Sequence, residues 1–340
     1  MFIKLISNKI ITLFLIVSSS LLSGCASNSQ SIGYIANVDG DLEVFVTDTA
    51  LSNPKQLTFN ELDDWHPCLG ASGEWIAFVG RTLNQQFIRI VSLEGEVLHQ
   101  VDSPKSNIYG LICMPVNNSV AYITSQGDNK NQINQFNVDT NTNQVIYSNK
   151  AQIFDFSYSF DERYLAFVSG AAKKNHLRVI ELSTGKEQAY FDNKPARVDN
   201  IDWSHKSYDI AAAATHNKIT DLWLVDTKQN TKEQFTELHM QDTYPVFSPD
   251  GAKIAWLTAR NGGLRLQLAI ADLNGDNFET LTPKGVEIHY AVWAKDGKEI
   301  VYSAFVDKRF QLYIVDIKTK AERPLQLHDT GIQLLPFFID

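Results

Sequence analysis

Seven short apolar phrases recur along this chain at nearly constant spacing. Each is a run such as Ile-Ala-Phe-Val, and successive copies start 44, 44, 45, 45, 44 and 46 residues apart. The copies begin at Ile32, Ile76, Val120, Leu165, Ile210, Ile254 and Ile300. A period of about 40 to 45 residues made of short strands is typical of propeller blades and not of helical arrays. The spacing therefore predicts an all-β fold built from seven equivalent sheets.

Each repeat contains four strand-sized segments, which the sixth repeat shows most clearly. Its segments are residues 243–247, 254–258, 265–271 and 278–281. The turns Ser248-Pro249-Asp250-Gly251 and Asn274-Gly275 separate them. Proline presets φ for a turn and glycine tolerates positive φ, so both connections are expected to be tight hairpins. Each repeat is therefore predicted to form a four-stranded antiparallel blade.

The two ends of the chain are expected to close the ring together. The first repeat, from Ile32, supplies only three strands, while residues 331–338 align with the first strand of the sixth repeat. A C-terminal strand that joins the first blade would remove an open sheet edge. The prediction is one domain over residues 31–340, a seven-bladed β-propeller closed by its last strand.

The repeat resembles a known family. Pro245-Val246-Phe247-Ser248-Pro249-Asp250-Gly251, followed by Ile254-Ala255-Trp256, matches the central phrase of TolB-type propeller repeats. A later Leu-Thr phrase of that family matches Leu57-Thr58 and Leu281-Thr282. The resemblance covers about residues 31–340 and implies the fold, but one scaffold serves many functions. TolB itself has six blades and a further α/β domain, so its partners are not expected to carry over.

The first 24 residues have the pattern of a secretory signal. Lys4 and Lys9 precede an apolar run over residues 10–17, which is shorter than the ~18 residues that a membrane-spanning helix needs. The ending Leu22-Ser23-Gly24-Cys25 resembles the lipobox of bacterial lipoproteins. That resemblance implies acylation of Cys25, palmitate included, and a short linker over 25–30. An ordinary signal peptide cut by a different peptidase is the alternative.

The lipobox and the charge together suggest a compartment and exclude one class of partner. In the lipoprotein pattern, Ala26 after the cysteine favours transfer to the outer membrane, with the domain on the periplasmic side. Lysine and arginine total 30 against 39 acidic residues, and removing Lys4 and Lys9 with the signal changes the net charge from −9 to −11. An acidic surface repels nucleic acid, so no nucleic-acid partner is expected.

Two cysteines remain after Cys25, at nearly matching places in neighbouring repeats. Cys68 and Cys113 could form a disulfide in an oxidising envelope. A disulfide requires a narrow range of Cα separations, which the sequence does not give. Because free cysteine commonly packs as a small apolar residue, two buried thiols are the expected state.

Candidate binding residues come from the first strands of the repeats, which should line the central channel. Aligned on Pro245, these positions predict an acidic and aromatic channel mouth. The residues are Asp64, Trp65, His66, Tyr109, Asp155, Asp199, Asp242, Tyr244, Glu287, His289 and Tyr290. Carboxylates could make charge-assisted hydrogen bonds, and aromatic faces could hold a cation or a sugar. The alternative is a solvated channel whose polar groups bond only water and loop amides.

No catalytic residue, metal or cofactor is assigned. His66 and His289 with Asp64 and Glu287 could be considered as metal ligands, but the compact helical spacing usual at catalytic zinc is missing. No Gly-x-Ser-x-Gly elbow, His-Glu-x-x-His helix or phosphate-binding loop occurs. An α/β-hydrolase half, which follows the blades in peptidases of similar repeat, is not expected in a chain that ends at Asp340.

The expected function is therefore binding, not catalysis. The sequence predicts an outer-membrane lipoprotein, held in the bilayer by its acyl anchor, whose propeller binds an envelope protein or peptide through its channel face. Two alternatives remain open. One is a polysaccharide lyase or hydrolase, metal-dependent or not, that uses His66 or His289. The other is a sensor whose channel takes a small ligand.

Overall fold

The computed structural model describes residues 31–37, 40–48, 54–103, 106–126, 130–171, 174–191, 197–237, 241–259, 265–283, 286–325 and 333–338. The signal, Cys25 and the linker lie outside these residues, so their assignments stay predictions. Within the described ranges the secondary structure is all strand, and no helix is long and apolar enough to cross a bilayer.

Within the described residues, 28 strands form seven four-stranded antiparallel sheets, which confirms the predicted fold class. Blade 1 contains β1 (Ser31–Asn37), β2 (Leu42–Asp48), β3 (Lys55–Gln56) and β28 (Gln333–Phe338), blade 2 contains β4 (Trp65–Leu69), β5 (Trp75–Arg81), β6 (Gln86–Ser92) and β7 (Val97–Ser103), and blade 3 contains β8 (Asn107–Cys113), β9 (Ser119–Gln126), β10 (Lys130–Asn137) and β11 (Thr142–Asn149). Blade 4 contains β12 (Gln152–Tyr158), β13 (Tyr164–Ala171), β14 (Lys174–Glu181) and β15 (Glu187–Tyr190), and blade 5 contains β16 (Arg197–Trp203), β17 (Asp209–His216), β18 (Ile219–Asp226) and β19 (Thr231–Gln234). Blade 6 contains β20 (Asp242–Phe247), β21 (Lys253–Thr258), β22 (Gln267–Asp272) and β23 (Glu279–Thr280), and blade 7 contains β24 (Glu287–Trp293), β25 (Glu299–Val306), β26 (Arg309–Asp316) and β27 (Glu322–Leu325).

The repeated apolar phrase forms the second strand of every blade. These strands are buried on both faces because each blade packs against two neighbours, so their side chains do not alternate between core and solvent. In β5, for example, every residue from Trp75 to Gly80 is buried. The core is accordingly a series of apolar layers between adjacent blades.

The Leu-Thr phrase ends the outer strand with a defined set of hydrogen bonds. In blade 1 the Leu57 amide donates to the Val44 carbonyl at 2.8 Å, and the Val44 amide donates to the Thr58 hydroxyl at 2.9 Å. In blade 6 the Leu281 amide donates to the Leu268 carbonyl at 2.8 Å, and the Leu268 amide donates to the Thr282 hydroxyl at 3.0 Å. The threonine hydroxyl replaces a main-chain acceptor, so the strand can leave the sheet without an unpaired buried amide.

The ring is closed as predicted, by the last strand. β28 lies antiparallel to β1, with Ile32 opposite Phe338 and Gly33 opposite Phe337. A Cβ on Gly33 would come within 2.0 Å of the Phe337 ring, so the close packing of the closure requires glycine there.

The cysteine prediction was wrong. Cys68 and Cys113 form a disulfide with a Cα–Cα separation of 5.6 Å, not two free thiols. They lie on β4 and β8, the inner strands of adjacent blades, and the ring brings these strands side by side. Matching positions in neighbouring repeats are therefore spatial neighbours, and the bond joins blade 2 to blade 3.

Candidate functional site

The inner strands of the seven blades surround the central channel. Each contacts the inner strand of the next blade, and β28 completes the circle between β24 and β4. All seven carry a bulge against the second strand of their blade. A bulge inserts an extra residue and redirects side chains, so these positions decide what faces the channel.

Three of the bulges place a residue with a side chain in the left-handed region. His66, Tyr244 and Leu335 have φ of 52°, 52° and 47°, and Gly110 occupies the same place in blade 3 with φ of 51°. Each of the three precedes a proline. Positive φ costs a residue with a Cβ about 1–2 kcal/mol, and such strain is concentrated at functional sites.

The channel contains a cavity of about 360 Å³. Five of the eleven candidate residues line it, and they come from four different blades: His66, Asp155, Tyr244, His289 and Tyr290. Asn200 and Asp202 of blade 5 complete its polar wall. Residues up to 270 positions apart in sequence, from His66 to Pro336, therefore share one cavity.

Tyr244 and Tyr290 form the aromatic part of this cavity. Their ring centroids are 6.5 Å apart in an edge-to-face arrangement. Tyr244 is 46% exposed and Tyr290 is 38% exposed. Exposed tyrosines at a concave site present flat apolar area with a polar tip, which suits a peptide or a sugar.

Two histidines add titratable groups to the same region. Protein atoms around the channel displace bulk water and lower the pKa of His66, which disfavours its charged form. His289 Nε2 lies 3.1 Å from Glu287 Oε1, and its ring packs edge-on against Phe310. Glu287 thus lies beside the cavity as the partner of His289.

Asp155 and Asp202 join blades. Asp155 accepts the Phe156 amide at 2.9 Å and the Ile201 amide of blade 5 at 3.0 Å. Asp202 accepts the Phe247 amide of blade 6 at 2.8 Å. Burial raises the pKa of Asp155 to about 7, although these amides act in the opposite direction. Sequence reasoning missed Asp202, whose only signal was an acidic residue between the apolar Ile201 and Trp203.

Asp64 and Asp242 do not line the mouth, because both are completely buried. Asp242 accepts a bond from the Trp256 indole at 3.1 Å. Asp64 accepts the Asn60 side-chain amide at 2.8 Å beside Glu43, and burial raises the pKa of both carboxyls. These acids belong to the interior of the sheets.

The remaining candidates are dispersed around the mouth. Asp199 pairs with Arg197 at 2.5 Å, Trp65 packs against the core between blades 1 and 2, and Tyr109 is 46% exposed. Four of the five carboxylates expected to make the mouth acidic are thus buried, bonded to amides or paired with a cation. The fifth, Glu287, is exposed beside His289. Within the described ranges, no group of three or more His, Cys, Asp or Glu side chains is placed to hold a metal ion. The arrangement supports binding through aromatic and hydrogen-bonding groups.

These features define a closed β-propeller with a lined central cavity. The model of the family described as the TolB beta propeller domain matches residues 115–333. Because the match covers more than half of the chain, the chain belongs to this family.

Known proteins similar to the chain differ in their activities. It is 23% identical to dipeptidyl-peptidase 5 of Porphyromonas gingivalis over 82% of this chain and 42% of that protein. It is 33% identical to a protein TolB homolog of Chlorobium chlorochromatii over 29% of this chain and 22% of that protein. The chain thus spans less than half the length of these curated relatives. A solved oligogalacturonate lyase in complex with manganese has a TM-score of 0.71 at 12% identity, covering 86% of this chain and 87% of that one, which shows the fold alone.

Proposed function

We propose that this chain is an outer-membrane lipoprotein whose propeller binds an envelope protein or peptide at the mouth of its channel, without catalysis. The observation that carries the proposal is the channel cavity, in which exposed Tyr244 and Tyr290 stand beside His66 and His289. Keeping Tyr244 and His66 at positive φ costs stability, and a binding role gives a reason for that cost.

Exposed apolar side chains around the mouth support the same proposal. Loops that precede an inner strand and loops between second and third strands lie at one end of an antiparallel blade. Phe59 and Leu83, 79% and 91% exposed, lie in two such loops. Tyr109, near the start of β8, lies at the same end. Exposed apolar groups gathered at one face are typical of protein-binding surfaces.

Two observations support a location in the envelope. The signal pattern and lipobox at Cys25 predict export and acylation. The Cys68–Cys113 disulfide is typical of proteins in oxidising compartments and rare in the cytosol. A multi-chain anchor would hold the domain at the membrane.

The binding proposal is tested by crosslinking in intact cells followed by purification of the chain from detergent-solubilised envelopes. The variant Tyr244→Ala/Tyr290→Ala should lose the partner that the native chain recovers. The matched control is Phe278→Ala, which truncates an equally exposed aromatic residue in the turn before β23, the outermost strand of blade 6. Equal recovery by all three chains would refute the proposal.

The enzymatic alternative has less support. Likeness to a lyase at 12% identity shows only the fold, and the described residues offer no ligand set for its manganese. In the sensor alternative, the channel cavity binds a small molecule and not a protein or peptide, and its volume of about 360 Å³ is large enough for one. Thermal-shift screening distinguishes it, because a ligand at about 100 times its Kd raises stability by about 2.7 kcal/mol.

A further inference from the structure

A second cavity, of about 420 Å³, opens beside the channel mouth between blades 5 and 6. Its wall includes Arg197, Asp199, Asn200, Lys218, Thr243 and Tyr244. Asn200 and Tyr244 also line the channel cavity, so the two spaces are adjacent. A ligand held in this side cavity could extend past Tyr244 into the channel.

The side cavity is locally basic in an acidic protein. Arg197 uses Nε to bond Asp199, and no described residue accepts a hydrogen bond from its other two guanidinium nitrogens. The Lys218 ammonium has no acceptor among the described residues either. Two cations face one carboxylate, giving the cavity a net charge of +1 in a chain whose net charge is −9. The unused donors favour an anion.

The turn that carries Lys218 is unusual for lysine. Asn217 and Lys218 form the two-residue connection between β17 and β18, with φ of 50° and 70°. Two-residue hairpins with positive φ at both positions strongly prefer Asn-Gly, because glycine has no Cβ to strain. Lysine at the second position therefore costs backbone energy, as Lys308 does in the equivalent turn of blade 7, and glycine in its place should relieve that strain.

Neutral side chains around these cations can form hydrogen bonds with the main chain of a peptide. The Thr243 hydroxyl donates to Asn200 Oδ1 at 2.8 Å, which orients the Asn200 amide. Thr215 and Thr220 hydroxyls lie 2.7 Å apart in the same wall. Hydroxyl and amide side chains can both donate and accept hydrogen bonds, which suits the main chain of a peptide. A polyanion is disfavoured, because the rest of the protein would repel its additional charges.

We propose that the side cavity binds the C-terminal carboxylate of a peptide, with Arg197 and Lys218 donating to its oxygens and the preceding residues passing Tyr244 toward the channel. This inference rests on the proposed function, whose partner it specifies as a chain terminus. Arginine suits this ligand, because its planar fork donates to both oxygens of one carboxylate.

The test compares N-acetyl-Phe-Ala bearing a free carboxylate with the same dipeptide as its C-terminal amide, each titrated by NMR against the purified full-length chain. Hydrogen bonds to charged groups are worth about 1.5–3 kcal/mol, so the acid should bind about tenfold or more tightly. Equal affinity for acid and amide, or no binding of the acid, would overturn the inference. Competition by inorganic phosphate as strong as that by the acid would also overturn it, because it would indicate a general anion site.

A matched pair of variants isolates Lys218. Lys218→Gly creates the preferred Asn-Gly turn and removes one cation, so it should keep the fold and weaken binding of the acid about tenfold. Lys308→Gly makes the same change in the equivalent turn of blade 7, where Asp307 and Lys308 have φ of 50° and 66°, and should leave binding unchanged. Equal effects of the two variants would contradict the assignment.

Failure of this inference and failure of the proposed function give different results. If Lys218→Gly recovers the envelope partner as well as the native chain does, while Tyr244→Ala/Tyr290→Ala loses it, the carboxylate assignment is wrong and the proposed function stands. If the acid binds selectively but none of the variants changes recovery of an envelope partner, the proposed function fails, and the side cavity remains a carboxylate site.

Discussion

Removing the disulfide between blades 2 and 3 should destabilise the propeller by a calculable amount. Cys68 and Cys113 are 45 residues apart in sequence. In the chain-entropy model, a crosslink that closes a loop of this size stabilises the folded state by about 4 kcal/mol at 25 °C. With an unfolding entropy of about 2.1 cal/mol/K per residue over residues 31–340, loss of the bond should lower Tm by about 6 °C. The variant for this measurement is Cys68→Ala/Cys113→Ala.

Calorimetric unfolding of the chain carrying Cys25→Ser is the appropriate assay, because only Cys68 and Cys113 then remain as cysteines. A phosphine reductant should lower Tm of this parent toward that of the double variant and leave the double variant unchanged. An unchanged Tm on reduction, or reactive thiols at both positions in the unreduced denatured chain, would refute the reasoning.

Three further results are expected. Thermal stability should fall as the pH rises from about 5 to about 8, because burial raises the pKa of Asp64 and Glu43 in the folded state, and the folded state loses these bound protons at higher pH. The variant Asp64→Asn mimics the protonated acid and should flatten this pH dependence in thermal melts across the same range. Gly33→Ala should cost about 1–3 kcal/mol in denaturant unfolding, because its methyl group overlaps the Phe337 ring, and an unaltered midpoint would contradict the packing at the closure. Cys25→Ser should abolish metabolic labelling of the chain with palmitate and release it from the membrane fraction, whereas persistent labelling would exclude the lipobox assignment.

The architecture was predictable because its causes repeat along the sequence. Seven copies of one apolar phrase fixed the number of blades, and turn residues such as Pro249 and Gly251 fixed the hairpins. Closure followed from counting strands, since Ile32 began a blade one strand short and the segment around Phe337 supplied the missing one. These features depend on local chemistry and repeat length, both of which a sequence displays directly.

The site was predictable only in part, because its geometry depends on bulges and on distances between blades. Alignment identified Tyr244 and His289 as channel residues, but it also selected Asp242, which is completely buried. The distance between Cys68 and Cys113 is set by how two blades pack, and no local pattern gives it.

Charge pairing is a further property that alignment does not reveal. Asp199 was selected as a mouth residue, yet Arg197, two residues earlier on the same strand, pairs with its carboxylate. Lys218 lies in a connection between two other strands, so alignment of the inner strands does not select it, although it lines the same cavity. Counting acids at the mouth therefore overstated its negative charge, and the side cavity has the opposite sign.

Site-specific photocrosslinking in living cells tests the central claim, that the channel mouth is the binding surface, most directly. A benzophenone amino acid in place of Tyr244 should give a crosslinked species of higher mass, while the same group in place of Val145, exposed on the outermost strand of blade 3, should give none. Identical patterns at the two positions, or no crosslink at Tyr244, would contradict the claim.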